Sequence, residues 1–190
     1  MRADSLRVER AAVAATELSL TRCAELFMAV PVVDHGVDLM AYQVDPFRVA
    51  KIQVKGATHD LKVFRQHSLT PVIVSYVLDP PGAADVVLLT GEQAWSLPID
   101  YVARGGAASD HHPDNDHYHW KKRPTLLSLM LREHLATPGH WLELFDRHPC
   151  SARRSGGPMK SSHKLLATIG GISMWSQLGD SRRRSLARTF

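Results

Sequence analysis

Two short extended runs, GVDLMAY at 36–42 and RVAKIQVK at 48–55, flank the turn-forming pair Asp45-Pro46, and they constrain the fold more than any other part of the chain. Side chains alternate along a strand, so Val49, Lys51, Gln53 and Lys55 share one face while Ala50, Ile52 and Val54 share the other. An antiparallel hairpin symmetric about the 45–46 bond pairs residues whose numbers sum to 91, which sets Asp38 directly opposite Gln53. Pro46 disfavours some two-residue turns, and a four-residue connection at 44–47 keeps the same symmetry. Opposed residues have Cβ atoms about 4.5–5.5 Å apart, close enough for a carboxylate and an amide oxygen to share one cation. Lys55 follows one strand step further on.

Residues 5–29 are rich in Ala, Leu, Glu and Arg and hold no Gly or Pro, which predicts a long helix. Val13, Glu17, Leu20, Ala24 and Phe27 fall at helical spacing on one stripe. A carboxylate on a core-facing stripe asks for a reason, and a helix packed over the sheet would bring Glu17 toward Asp38. Residues 56–70 read as polar and irregular, 72–78 as a buried strand ending at Asp79-Pro80-Pro81-Gly82, and 85–89 as another strand. A short helix is expected over 92–102 despite Pro98, a loop over 104–116, an edge strand over 118–122 and an amphipathic helix over 125–135, its apolar pattern continuing at 141–145. The class is therefore α/β, with the N-terminal helix first.

Length and charge bound the organisation. At 190 residues the chain allows one ordinary domain with an appendage, read here as 1–149 followed by a flexible basic tail at 150–190. Residues 1–150 carry 15 Lys and Arg against 18 Asp and Glu, whereas 151–190 carry 8 against the single Asp180. Cys23 and Cys150 form no CxxC pair, so neither a disulfide framework nor a thiolate zinc site is suggested and both read as free thiols. No stretch has the roughly 18 apolar residues that cross a bilayer, and MRADSLRVER is too charged for a secretory signal, so a cytoplasmic location is expected.

Magnesium takes oxygen ligands, usually one or two carboxylates with water and substrate phosphate completing the shell. Asp38 offers a carboxylate, Gln53 a side-chain carbonyl and Glu17 a third oxygen from the helix, with Glu9 and Glu25 as substitutes for Glu17. An ammonium at Lys55 would orient an attacking water or neutralise charge building on a phosphate. This order of parts, a helix with Glu17, then GVDLMA with Asp38, then IQVKG with Gln53 and Lys55, resembles the PD-(D/E)XK nuclease superfamily over roughly residues 9–90. The resemblance implies a restriction endonuclease-like mixed β-sheet flanked by helices and magnesium-dependent hydrolysis of DNA phosphodiester bonds, with manganese as a substitute ion. It implies metal binding by Asp38, Gln53 and Glu17, a catalytic set of those three with Lys55, a 5′-phosphate product and, by analogy with double-strand cutters, a homodimer. Two departures stand out: Gln53 replaces the usual acid, and Val37, not Pro, precedes Asp38. Gln53 thereby favours a rival reading, a nuclease fold that has lost its chemistry and binds DNA or a partner protein.

Other features admit plainer readings. Gln53 and Lys55 alone would suit the solvated face of an edge strand, and Glu17 a surface pair with Arg10 or Arg22. The stretch DHHPDNDHYHW at 110–120 holds His117 and His119 as transition-metal ligands, but without a second half of matching spacing it reads as a loop. His59 and His67 follow Lys55 near the expected substrate path, each with a structural role as the simpler reading. Lys121, Lys122 and Arg123, with Arg153, Arg154 and Arg182 to Arg184 in the tail, form basic patches suited to phosphate or to plain solvation.

Overall fold

The strands sort onto two sheets, with helices packed on both sides of the larger one. The structure, a computed structural model, describes residues 2–32, 36–82, 84–114 and 116–148. The basic tail expected from 150 onward, Cys150 included, lies outside them. Cys23 is a buried free thiol.

Helix α1 (Arg2–Thr21) is followed by β1 (Phe27–Ala29), β2 (Leu39–Gln43) and β3 (Arg48–Ala57). The helix was expected to run to 29. Instead it closes with tight turns from Arg22 N–H to Ser19 O and Cys23 N–H to Leu20 O. Pro31 pushes the chain before it toward extended backbone, and Phe27 pairs and stacks with Tyr42 across β2, rings 5.5 Å apart. Strands β2 and β3 pair antiparallel, with Leu39 opposite Ile52 and Gln43 opposite Arg48, each pair summing to 91 as the hairpin symmetry requires. Val44 to Phe47 form the four-residue turn.

A strand β4 (Leu61–Phe64) and a one-turn helix α2 (Arg65–Ser68) occupy the segment read as irregular. In β4, Leu61 and Val63 point inward while Lys62 is exposed, the period of a half-buried strand. The chain then returns as β5 (Ile73–Leu78), parallel to β3, and β6 (Asp85–Thr90), antiparallel to β5. The main sheet thus runs β1-β2-β3-β5-β6 and is mixed. Both faces of β5 are buried, which explains its unbroken apolar run.

Helix α3 (Gly91–Ala103) opens with a capping box between Thr90 and Gln93. Strands β7 (His112–Pro113) and β8 (His117–Trp120) follow, and then helices α4 (Thr125–Arg132) and α5 (Pro138–Arg147). β8 was expected at an edge; it lies between β4 and β7, while Pro113, with no N–H to give, takes the outer strand. The described fold is α/β, a mixed sheet flanked by helices with the helix first. On one face α1 and α5 cover Ile52, Val54, Ile73 and Val77; on the other α3, α4 and the small sheet cover Val74, Tyr76, Val87 and Leu89. Among the described residues no helix is long and apolar enough to cross a membrane.

Candidate active-site cleft

Strand β3 is the middle strand of the main sheet, and its two faces meet different neighbours. Ala50, Ile52 and Val54 are buried in the core under α1 and α5. At Gly56 the helix comes so close that an added Cβ would stand 2.8 Å from Val8 Cγ1 and 3.5 Å from Ala12 Cβ. Gln53 and Lys55, on the opposite face, reach the end of the sheet where α1, β2 and β4 leave a cleft of about 560 Å³. α1 lines it with Asp4, Ser5, Val8, Glu9 and Ala12; the hairpin contributes Asp38, Gln53, Val54, Lys55 and Gly56; and the link to β4 adds Thr58 and Asp60.

Asp38 stands just before β2. Gly36 has a left-handed φ of 74°, a conformation that glycine adopts without a Cβ penalty, and it turns the chain into the strand. Asp38 N–H then donates to Ile52 O at 3.0 Å, continuing the ladder by one bond. Its carboxylate is held from beneath: Gln53 Nε2 donates to Oδ2 at 2.5 Å and Val54 N–H donates to the same oxygen at 2.6 Å. Neither bond engages Oδ1. Gln53 is only 6% exposed, so its amide is a buried clamp on the carboxylate. Its Oε1 lies on the Gly36 side, 3.8 Å from where a Cβ of Gly36 would stand.

Lys55, half-buried, sets its Nζ 5.7 Å from the centre of the Phe64 ring and has no ion pair with a described residue. Behind it, His67 is buried with neither ring nitrogen hydrogen-bonded, and burial, reinforced by the Lys55 charge, lowers its pKa to about 4. His67 is therefore neutral at neutral pH and adds no charge beside Lys55.

The structure brings Asp38, Gln53 and Lys55 into one cleft, and Glu17 is not among the residues lining it. The buried stripe of α1 runs through Ala12, Thr16 and Leu20; it shares Leu20 with the expected 13-17-20 series but lies one residue earlier at 12 and 16, and a step of one residue turns a side chain by about 100°. Glu17 faces a shallow groove of α1 with Arg10, Val13 and Ala14, while Thr16 meets Ser75 of β5 at 2.8 Å. Glu9, the substitute, does line the cleft, and Glu25 does not.

Asp60 is the cleft group that the sequence reading missed. It sits between β3 and β4, lines an adjoining recess of about 240 Å³ with Lys55, Phe64 and Tyr76, and takes a 3.3 Å contact from His119 Nε2 on β8. The inward alternation of Leu61 and Val63 was the available signal for β4, and hence for Asp60 at its start.

The donor set of the lining is all oxygen, with neither imidazole nor thiol, and one carboxylate fixed in place; this suits a hard cation of the magnesium type. Among the described residues, three His, Cys, Asp or Glu ligand atoms lie within 4.8 Å of one another only at Asp114, Asp116 and His117, in the β7–β8 turn. The Asp38 cleft is therefore an open site, not a closed cage. Arg123, grouped with a basic patch in the sequence, is tied down by Ala57 O, Asp79 and Ser128 and serves packing; Lys121 and Lys122 remain exposed. A recess of similar volume, about 580 Å³, lies at the start of α3, where the N-terminus is already capped by Thr90 and Arg147 pairs with Glu143.

No protein-family model, no curated protein and no solved structure matches the chain.

Proposed function

We propose that the protein is a magnesium-dependent nuclease of the PD-(D/E)XK type that hydrolyses DNA phosphodiester bonds in the cytoplasm. The observation that carries this reading is one open cleft on adjacent strands under a helix, shared by a clamped carboxylate, Asp38, and an ammonium, Lys55, without an ion-pair partner among the described residues. When bound, the cation would polarise the scissile phosphate and lower the pKa of a bound water. Asp38 would hold it through Oδ1, since Oδ2 already accepts from Gln53 and Val54. Gln53 acts here through Asp38; to serve as a ligand itself it would turn its amide so that Oε1 faces the cleft. Lys55 orients the attacking water and neutralises charge gathering on the phosphate oxygens, which a low-dielectric corner beside Phe64 strengthens. Glu9 takes the place expected of Glu17 as the helical acid.

A second reading, a module that binds DNA without cutting it, is favoured by the N–H side of Gln53 facing Asp38 and by the lack, among the described residues, of a three-carboxylate cage at this cleft. Incubation of supercoiled plasmid with the purified chain and Mg²⁺ decides between them. Nicking or linearisation by wild type, lost in Lys55→Ala and in EDTA, supports the nuclease; intact plasmid with wild type, or equal cleavage by wild type and Lys55→Ala, overturns it.

A further inference from the structure

We propose that Asp60, held by His119 of the second sheet, is the second carboxylate through which the cleft binds its divalent cation, an inference that rests on the nuclease reading above. Four carboxylates line the cleft, Asp4, Glu9, Asp38 and Asp60, and a magnesium-type ion uses one or two. Carboxylates that serve a metal are themselves held by hydrogen bonds, because an oxygen already fixed loses less freedom when it coordinates. Asp38 meets that condition through Gln53 and Val54. Among the described residues, Asp60 alone of the other three has a side-chain partner from another element, the 3.3 Å contact with His119 Nε2.

The partner is itself well anchored. His119 stands opposite Lys62 on β4 and His112 on β7, in the middle strand of a three-stranded sheet whose buried side carries Leu61, Val63 and Trp120. Asp60 also borders the recess that Lys55 and Phe64 line, so it and Lys55 share both spaces. The second sheet thereby serves the first, presenting an imidazole N–H that fixes the carboxylate at the edge of the cleft. His119 is a positioning residue on this account, and Asp60 a metal-binding one.

The test is Mn²⁺ affinity, read by electron paramagnetic resonance of free Mn²⁺ and by calorimetry, on the full chain carrying Asp114→Asn and Asp116→Asn so that the hairpin cluster does not contribute. In that background Asp60→Asn is expected to weaken Mn²⁺ binding about tenfold or more, His119→Ala about tenfold, and His119→Gln, which keeps an N–H donor, much less. Glu17→Gln should stay within about twofold of the parent. If Asp60→Asn binds as the parent does while Asp38→Asn has lost the ion, the role of Asp60 is overturned and the nuclease reading survives. If Asp38→Asn binds as the parent does, or the parent takes up no Mn²⁺, both fall together.

Discussion

Two places in the molecule gather acidic oxygens, and they do so in opposite ways. In the β7–β8 turn Asp114, Asp116 and His117 bring their ligand atoms within 4.8 Å of one another, yet the two carboxylate side chains are 63% and 76% exposed. At the β2–β3 hairpin one carboxylate stands in a cleft, and its setting is built: a buried amide and a strand N–H both donate to Oδ2. Nearness of exposed charges in a turn is weakly held, because water screens them and the side chains retain their freedom. A carboxylate clamped over a buried amide has lost that freedom already, so a cation meeting it gives up less entropy. The contrast teaches that what surrounds a carboxylate, not the crowding of acids, organises a site.

The largest effect that would break this contrast is on cleavage. Asp38→Asn and Lys55→Ala should each lower the rate about 10²- to 10³-fold in a plasmid assay, the usual loss when a positioned electrostatic group is removed, with little change in melting temperature for Lys55→Ala. Asp114→Asn with Asp116→Asn should leave the rate within about twofold.

Next in size is an acid limit that belongs to the cleft side. His67 has a folded pKa of about 4 against 6.5 for the ordinary group, so between those values the unfolded chain binds the proton more readily. Stability is therefore full above about pH 6.5, falls as the pH drops toward 4 and levels off below, a loss of order 3 kcal/mol by the shift alone. His67→Phe should flatten that part of the profile in urea melts at stepped pH. The exposed turn is a weaker lever: the hydrogen bond with His117 lowers the Asp116 pKa, but the pair is open to solvent, and changing its acids should leave the profile almost unchanged.

Gln53→Glu sharpens the comparison from the other side. It places a second carboxylate against Asp38 Oδ2, 2.5 Å from the present amide nitrogen, and exchanges a hydrogen bond for repulsion. The variant should be less stable than wild type by about 1–3 kcal/mol in EDTA and regain that loss as Mg²⁺ or Mn²⁺ is added, by thermal melts. Equal stability in EDTA would mean that the amide does not hold Asp38.

How much of this was legible follows from distance along the chain. The hairpin register is local: alternation fixes the faces, Asp45-Pro46 fixes the turn, and the 91-sum pairing follows from the two together. Lys55 and Gln53 could thus be set beside Asp38 from residues 36–55. The phase of α1 was harder, because the helix is rich in Ala and Leu on several sides. Leu20 belongs to both the expected stripe and the observed one, and only the packing of Ala12 and Thr16 against β3 and β5 chooses between them. Asp60 and His119 lie 59 positions apart, and the β4–β8 pairing that joins them leaves no trace in either segment alone.

Anomalous diffraction from crystals soaked in Mn²⁺ tests the central claim most directly. The account predicts a peak within coordination distance of Asp38 Oδ1 that vanishes in Asp38→Asn. A peak confined to Asp114, Asp116 and His117, with nothing at Asp38, would contradict it.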